Sequence, residues 1–575
     1  MRNRRTRLRA AVAVVTCAGM LASCSSLPRN SEPNALRPFA PNEHTEQDLG
    51  PTPDQEPDLL LREFYTAAAR PTQDYQAARG YLAGGVAQRW TPQESTLVVD
   101  RIDINTQAGA NADERTFDVR GTVIGRLDSD GAYSPDNGTY EASVTLRRQD
   151  DGQWRITALP DGVVFERTEL RNNYEPHRIF FFDPAGRVLV GDRRWVYSGE
   201  RAQDAALINL LVQGPASGLE PGVRHDLPEE ASFLGTEDGV YRFAGMGSMS
   251  PEQRIAFAAQ LVWTLAEADI PGPYAIEADG APLAEGYREL TTDDFAAFNP
   301  ETGSAAVAPL YALSDGNLLK VSGAGADPVP GELGTAGDIA SADVSVEDVA
   351  AVVRRRGNTN ELWMGGTENG LTRQLTGQTL TRPTIEPEAA GAWTVVDGDD
   401  VVRLVRSNST GAVARTSVRV DGLGETDSAD EEISVLQLSR TGVRVAMIVD
   451  GRVYLGVVAQ RPNGERSVVN VTEIAAQLDG TAVSLDWQAD GSLVVGTSSA
   501  ESPLWRVEQD GSSLVSLPSG NVTAPVVAVA SGQNTLYLTD ALAMRQLPAN
   551  GTSDSAFWRE VPGLQGVRSA PVVAH

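Results

Sequence analysis

The segment 57–168 begins with helical spacing of its hydrophobic positions and then changes to strand spacing. Apolar residues three and four positions apart predict an amphipathic helix over 58–69 and a second helix over 75–82, which 84–89 continues. Period-two alternation then predicts a series of strands over 97–99, 102–104, 116–127, 138–146 and 154–158. Helices followed by a strand meander indicate an α+β domain with a curved sheet. We interpret the aromatic, alanine-rich face of the helices as core and not as a ligand pocket.

The segment 169–300 mixes short strands with helices and predicts a mixed α/β domain. Extended stretches are expected over 178–183, 188–192 and 274–278. The alternation of Val223, His225 and Leu227 indicates a further extended stretch, and Phe233 with 239–243 another.

Two amphipathic helices are predicted in the same segment, over 202–213 and 251–268. Gly214-Pro215 is a normal helix terminator after the first. Ser250 followed by Pro251 is typical of a helix start, because a serine hydroxyl can cap the first free amides and proline fits the first turn.

The segment 301–575 consists of short strands separated by glycine turns that recur with a period. The intervals between successive turn glycines are 41, 41, 53, 40 and 41 residues. The glycines are Gly316, Gly357, Gly398, Gly451, Gly491 and Gly532. A period near 41 in an all-β segment predicts a β-propeller, here of six or seven blades, whereas a two-sheet sandwich is the alternative. The long interval is expected to hold an extra loop, either 421–432 or 461–478, and 471–478 is the one stretch with a helical pattern.

The end of the chain predicts how the ring closes. Ser569-Ala570-Pro571-Val572-Val573 repeats Thr523-Ala524-Pro525-Val526-Val527, so the chain begins another repeat just before residue 575. One additional strand would pair with the first blade and remove the exposed edges of the ring.

The N-terminus has the pattern of a secretory leader. Five arginines stand among the first nine residues and are followed by a short apolar run and then by small residues. The apolar run is too short for a permanent membrane span. Residues 24–56 are rich in proline and poor in apolar residues, which predicts a disordered or extended spacer.

Leu21-Ala22-Ser23-Cys24 at the end of the leader resembles the lipobox of bacterial lipoproteins. The resemblance implies cleavage between Ser23 and Cys24, an S-diacylglycerol and an N-acyl chain on Cys24, and a signal peptide over 1–23. The protein would then be held by lipid, palmitate included, at the extracytoplasmic face of the cell membrane. The alternative is an ordinary secretory signal with a chance cysteine.

Charge and cysteine content narrow the function classes. The formal charge is −29, and removal of the leader arginines takes it to about −34, which argues against nucleic-acid binding. Of the two cysteines, Cys17 leaves with the leader and Cys24 is assigned to lipid, so no disulfide forms within the mature chain. The fold must therefore depend on packed cores.

No catalytic or metal-binding constellation stands out, so no catalytic residue, metal or cofactor is assigned. The four histidines are scattered and lack a ligand-spaced partner. Gly245-Met246-Gly247-Ser248 lacks the pattern of a nucleophile elbow. The acidic stretches 397–400 and 427–432 could bind calcium, but they lack the spacing of a calcium loop, so solvated loops are the favoured interpretation.

The whole chain resembles the LpqB family of actinobacterial lipoproteins. The resemblance rests on the lipobox, on domain order, and on Leu210-Leu211-Val212-Gln213-Gly214-Pro215 and Ala259-Gln260-Leu261-Val262-Trp263-Thr264-Leu265 in the middle unit. It implies that the middle unit is a GerMN domain with a ligand-binding role. It also implies an accessory protein of the MtrA–MtrB two-component system that contacts the extracytoplasmic domain of the sensor kinase MtrB, with a link to cell-wall homeostasis and division. Only the lipobox carries over residue by residue.

Three functions remain open from the sequence. The first is a non-enzymatic, membrane-anchored modulator of a sensor kinase. The second is a receptor for cell-wall fragments of peptidoglycan or glycan, and the third is an unrecognised cell-wall hydrolase. The first two are compatible, because a ligand can bias a protein–protein contact.

Overall fold

The computed structural model describes most of the chain after residue 49. The described residues are 50–575 except 109–110, 200–201, 284–287, 301–307, 324, 369, 389–390, 408, 424–431, 462 and 550–555. The predicted signal peptide, the lipobox Leu21-Ala22-Ser23-Cys24 and the spacer up to residue 49 lie outside them and stay predictions.

The first domain is a curved sheet with helices packed on one side. Its helices are α1 (Pro57–Ala68), α2 (Thr72–Arg79), α3 (Gly84–Ala87) and a 3-10 turn (Pro92–Glu94). Its strands are β1 (Thr96–Val99), β2 (Asp103–Thr106), β3 (Glu114–Leu127), β4 (Tyr133–Pro135), β5 (Thr139–Arg148), β6 (Trp154–Ala158) and β7 (Val163–Glu166). The sheet order is β6-β5-β3-β1-β7, with β2 and β4 also pairing with β3. The predicted α+β domain is thus confirmed.

The apolar face of α1 forms the core of this domain, as its spacing predicts. Leu60, Leu61 and Phe64 are buried against the sheet, where Phe117 and Ile156 are also buried. Full burial of such a side chain contributes about 1.5–3 kcal/mol, so this face holds the helix in place.

The second domain begins with a short helix and contains two separate sheets. Its elements are α4 (Arg167–Asn173), β8 (Tyr174–Phe182), β9 (Leu189–Tyr197), α5 (Gln203–Gln213), β10 (Ser232–Glu237), β11 (Val240–Ala244), α6 (Pro251–Glu267), β12 (Ala275–Ala278) and β13 (Ala281–Pro282), with 3-10 turns at Glu220–Gly222 and Thr292–Phe298. β8 and β9 form a hairpin, and the other four strands form a sheet in the order β10-β11-β12-β13.

Helix α6 begins as its sequence predicts. The Gln253 backbone N–H donates to Ser250 Oγ at 3.3 Å, while Gln253 Oε1 accepts from the Ser250 backbone N–H at 2.9 Å. This capping box satisfies amides that a helix otherwise leaves unpaired. The predicted strand through His225 is wrong, because only an isolated bridge between Arg224 and Phe182 forms there.

The third domain is a β-propeller of six blades within the described residues. Its strands are β14 (Leu310–Ser314), β15 (Asn317–Ser322), β16 (Gly325–Pro328), β17 (Ile339–Val344), β18 (Val349–Arg356), β19 (Thr359–Gly366), β20 (Gly370–Gly377), β21 (Thr384–Ile385), β22 (Gly391–Val396), β23 (Asp400–Arg406), β24 (Val413–Ser417), β25 (Arg419–Val420), β26 (Ile433–Leu438), β27 (Arg444–Val449), β28 (Arg452–Gln460), β29 (Arg466–Glu473), β30 (Ala482–Trp487), β31 (Leu493–Thr497), β32 (Leu504–Val507), β33 (Leu514–Ser516), β34 (Ala528–Ser531), β35 (Thr535–Thr539), β36 (Met544–Pro548), β37 (Arg559–Glu560) and β38 (Ala570–Val573).

The innermost strands of blades 1 to 6 are β38, β17, β21, β26, β30 and β34. The last strand, β38, pairs with β14 of the first blade, so the ring closes by the predicted extra strand. The sandwich alternative is wrong, since each repeat forms its own sheet.

Two details of the repeat differ from the sequence prediction. Gly316, Gly357, Gly398 and Gly451 stand between the second and third strands of their blades, but Gly491 and Gly532 stand between the first and second. The regular intervals therefore mix turns at two different positions of the blade.

The predicted extra loop and helix also need correction. The long interval holds the additional strand β25, and most of the predicted loop 421–432 lies outside the described residues. The alternative 461–478 is wrong, because it contains the blade strand β29. The helical pattern over 471–478 forms only a 3-10 turn, Ala476–Leu478.

Candidate functional site

The second domain contacts the propeller at turns of blades 4 and 5. These turns lie at the end of the ring where the innermost strands finish. Arg193 Nε and Trp195 Nε1 from β9 each donate to Asp510 Oδ2 of the propeller at 3.1 Å. From the propeller, Arg444 Nη2 donates to the Gly191 carbonyl at 2.9 Å. Charged hydrogen bonds between partly buried groups thus fix this junction.

The hairpin between β3 and β4 of the first domain reaches the same junction. The Trp195 N–H donates to the Gly131 carbonyl at 2.7 Å, and Arg194 Nη1 donates to the Asp130 carbonyl at 2.9 Å. Arg194 is fully buried and is paired with Asp192 at 2.7 Å. Residues of all three domains therefore meet around β9.

A cleft of about 130 Å³ opens between the second domain and the propeller. We call it the junction cleft, and it is lined by Arg178, Phe180, Leu189, Arg440, Arg444 and Trp487, among others. Arg178 Nε donates to Glu267 Oε1 at 2.7 Å and so has a carboxylate partner. The cleft combines cationic, amide and aromatic groups with one carboxylate, that of Asp490, which is paired with Arg506 at 2.6 Å.

A smaller cavity of about 20 Å³ continues from the junction cleft into the axis of the propeller. Both cavities are lined by Arg440 and Trp487. The Ser531 N–H donates to Asp486 Oδ2 at 2.7 Å. Burial raises the pKa of Asp486, although the charges of Arg382 and Arg440 and the Ser531 N–H act in the opposite direction. Charged groups thus line one end of the propeller channel.

A third cavity, of about 400 Å³, lies within the second domain at the start of α6. We call it the helix cleft, and its walls include Phe182, Phe298, Ile255, Arg224 and Glu252. The two phenyl rings meet edge to face with centroids 5.0 Å apart. Mostly apolar walls with a few charged groups are typical of small-molecule sites, and so is this volume.

The opposite end of the propeller carries exposed apolar side chains, and we call this surface the distal face. It is defined by Val483, Val527, Leu542 and Val567, which are 37–60% exposed. The Val527 N–H donates to the Thr539 carbonyl, and the Val567 carbonyl accepts from the Met544 N–H, so these residues surround blade 6. Adjacent exposed apolar residues are characteristic of interaction surfaces.

The three histidines that the structure describes lie in separate surroundings. His177 contacts Gln203 at 2.9 Å, His225 lies against Phe181, and His575 faces the channel near Asp343. Burial lowers the pKa of both His177 and His225.

The acidic stretch 397–400 is explained by turn structure. Asp397 Oδ1 accepts the Gln378 and Thr379 N–H groups at 2.7 and 2.9 Å. Most of 427–432 lies outside the described residues. Among the residues that the structure describes, no three histidine, cysteine or acidic side chains stand together as metal ligands. No helix in the same ranges is both long and apolar enough to cross a membrane.

The junction arginines were missed by sequence reasoning. Across the junction, the Gly191 carbonyl that accepts from Arg444 is 253 positions away and Asp510, which accepts from Arg193, is 317 positions away, so no local pattern marks these contacts. The exposed valines of the distal face carry no sequence signal either, because strand residues of a propeller are apolar throughout.

Three family models match the chain in order. They are described as "Lipoprotein LpqB, N-terminal domain" (residues 50–171), "Sporulation and spore germination" (178–284) and "Lipoprotein LpqB beta-propeller domain" (316–574).

Relatives named "Lipoprotein LpqB" match over nearly their full length. The protein of Corynebacterium diphtheriae is 42% identical over 585 residues, with 100% of both chains covered. That of Rhodococcus jostii is 37% identical with 96% of both covered, and that of Mycobacterium tuberculosis is 32% identical with 96% of this chain and 97% of the relative covered.

Solved structures match about half of the chain. TolB from Acinetobacter baumannii matches with a TM-score of 0.31 and 12% identity, over 46% of this chain and 66% of that one. A putative 6-phosphogluconolactonase from Bacteroides uniformis matches with a TM-score of 0.31 and 9% identity, over 46% of this chain and 100% of that one.

Proposed function

Because the chain belongs to the LpqB family of lipoproteins, we propose that it is an extracytoplasmic accessory protein, held at the cell membrane by lipid on Cys24, that modulates the sensor kinase MtrB. The MtrA–MtrB two-component system would thereby connect it to cell-wall homeostasis and division. The match of all three domains over the whole length of proteins named as lipoproteins carries the proposal.

The contacts between the domains support a role in binding. Hydrogen bonds of Arg193, Arg194 and Arg444 hold the three domains together, as a protein that works by contact requires.

We place the contact with the sensor on the distal face. The second domain covers part of the other end of the ring, at the turns of blades 4 and 5. The distal face stays accessible and presents Leu542, which is 60% exposed. A central apolar group that becomes buried supplies most of the binding energy of many interfaces. Such a contact changes kinase activity only if it favours one sensor conformation over another.

The test is a binding titration of the full-length protein, in detergent, with the purified extracytoplasmic domain of MtrB. We expect saturable association and at least tenfold weaker binding for Leu542→Asp. Leu234→Asp is the matched control, because Leu234 is 66% exposed but lies in the second domain. Absence of association for the unsubstituted protein would overturn the proposal. Equal effects of both substitutions would remove the distal face as the contact.

The helix cleft supports a second function, the binding of cell-wall fragments. Its volume of about 400 Å³ lies within the usual range for small-molecule sites. Titration of the full-length protein with a purified disaccharide-peptide of peptidoglycan should raise its unfolding temperature. Filling the cleft by Ala256→Trp should remove this shift, and an unchanged shift would place the ligand elsewhere.

A further inference from the structure

Two arginines in the junction cleft lack the carboxylate partner that such groups normally have. The chain has 77 acidic and 48 basic residues, so carboxylates are in excess. Within the described residues, neither Arg440 nor Arg444 has a carboxylate oxygen within 4 Å of its guanidinium nitrogens. Removing a charged group from water is unfavourable unless a group of opposite charge pairs with it.

Arg444 faces two carboxylates that other groups already occupy. Asp192 Oδ2 accepts from Arg194 Nη2 at 2.7 Å and from the Ala216 N–H at 2.8 Å. Asp510 Oδ2 accepts from Arg193 and from Trp195. Burial lowers the pKa of Arg444, while Asp192 and Asp510 oppose that effect from beyond ion-pair distance. The guanidinium keeps its charge at neutral pH, because arginine is not deprotonated in proteins.

Within the part of the chain that the structure describes, the Arg440 guanidinium has a backbone carbonyl as its hydrogen-bond partner. Its Nη2 atom donates to the Ser531 carbonyl at 2.7 Å. Asp486 is the carboxylate that influences it from the channel cavity, and burial raises the pKa of that acid. A second guanidinium is therefore left with hydrogen-bonding capacity toward the junction cleft, which it lines.

The turn that carries both arginines is held by its own hydrogen bonds. The Arg444 N–H donates to Ser439 Oγ at 3.0 Å, and the Gly442 N–H donates to the Ser439 carbonyl at 2.8 Å. A turn fixed in this way places its side chains before a ligand arrives, which reduces the ordering required on binding. Gln488 and Gln509 add side-chain amides to the same cleft.

We propose that the junction cleft binds a small molecule that carries an oxyanion, either a carboxylate or a phosphate, between Arg440 and Arg444. A planar guanidinium donates two parallel hydrogen bonds to such a group. The aromatic wall formed by Trp487 and Phe180 suits an apolar part next to the anion. About 130 Å³ corresponds to roughly four water volumes, so the cleft takes a small anion or the anionic end of a longer ligand.

Binding at this place would stabilise the junction itself. The cleft has one wall in the second domain, with Phe180 and Leu189, and one in the propeller, with both arginines. A ligand that binds only the docked arrangement stabilises that arrangement by mass action. This inference does not rest on the proposed contact with a sensor kinase.

The test is calorimetric titration of the full-length protein in detergent with two probes at constant ionic strength. Inorganic phosphate is the first probe and succinate is the second, and sodium chloride is the reference. We expect saturable binding of at least one anion, and the stronger of the two identifies the ligand class. Saturation with neither anion would overturn the proposal.

Substitutions then locate the site. Arg444→Gln and Arg440→Gln should each weaken binding at least tenfold, since each removes one guanidinium. Arg444→Lys keeps the positive charge but loses the planar guanidinium that donates two parallel hydrogen bonds. This variant should therefore bind the anion with intermediate affinity. Arg415→Gln is the control, because Arg415 is 49% exposed and paired with Asp400. Equal affinities of Arg440→Gln and the control would refute the site even if Arg444→Gln failed to fold.

Discussion

Blade 3 contains a buried ion pair whose removal should destabilise the propeller strongly. Glu386 Oε1 accepts from Arg403 Nε at 2.6 Å and from Trp393 Nε1 at 2.8 Å, and Glu386 Oε2 accepts from Arg403 Nη2 at 3.0 Å. Arg466 approaches the same carboxylate at 3.5 Å. The side chain of Glu386 is only 6% exposed and that of Arg403 15% exposed, so water cannot replace the lost contacts.

Substitution Glu386→Gln keeps the shape but removes the charge between the two arginines. Loss of one partner of a buried pair costs about 3–5 kcal/mol, because the other charge stays buried without compensation. The matched control is Asp400→Asn in the same blade, whose partner is Arg415. That pair is 41% and 49% exposed, and surface pairs contribute about 0–1 kcal/mol.

Hydrogen exchange of the strands of blade 3 in the full-length protein measures this difference. At about 1.4 kcal/mol per factor of ten, Glu386→Gln should accelerate exchange by roughly two to four orders of magnitude, and Asp400→Asn should accelerate it less than about tenfold. Similar acceleration in both variants, or less than tenfold in Glu386→Gln, would refute the reasoning.

The pH dependence provides a second check on the same variant. Burial alone would raise the pKa of Glu386, but hydrogen bonds from Arg403 and the charge of Arg466 outweigh it, so the pKa lies below its usual value. The carboxylate therefore contributes its full stability above the unfolded pKa of about 4.3. That contribution is lost as the pH falls through the folded pKa. The difference between the unsubstituted protein and Glu386→Gln should thus shrink in acid.

Three further substitutions test other parts of the chain. Cys24→Ala should move the protein from the membrane fraction to the soluble fraction without changing its circular dichroism, and retention at the membrane would contradict the lipobox. Gly131→Ala should raise protease sensitivity at the first-domain hairpin, because residue 131 has a φ of +78° and the added Cβ would lie 2.5 Å from the Trp195 carbonyl oxygen. Gly152→Ala is the control and should leave protease sensitivity unchanged, because Gly152 has a similar φ of +82° but no atom within 4 Å of the added Cβ. Ser250→Ala should destabilise the start of α6 by about 1 kcal/mol in hydrogen exchange, and no change would exclude the capping box.

Local features of the sequence predicted the elements of the fold. The buried stripe of α1, the cap of α6 and the extra strand β38 each follow from residues within one short segment. The position of each turn glycine within its blade was harder to predict, since Gly491 and Gly532 stand one hairpin earlier than the other four. The pattern over 471–478 failed because pairing of β29 with β28 outweighed a weak helical preference.

The candidate site could not be predicted, because its parts are far apart in the sequence. Arg193 and Asp510 are 317 positions apart, and Arg444 and Gly191 are 253 apart. The composition of the chain indicated an excess of acidic residues and gave no sign of an anion-binding site. The location of a cationic cleft depends on which carboxylates are already paired with other arginines. These pairings are determined by the folded structure and cannot be read from the sequence.

The contrast between the two arginine clusters favours a ligand at the domain junction. Arg403 of blade 3 and Arg466 of blade 4 share Glu386, so a carboxylate of the protein compensates these buried cations. At the junction, Arg440 and Arg444 remain without an ion pair among the described residues, although acidic residues are abundant in the chain. Stability alone would favour an apolar residue or a paired charge at these positions. Local departures from such rules are expected where function requires them, and an anion supplied from outside would restore the balance of charge.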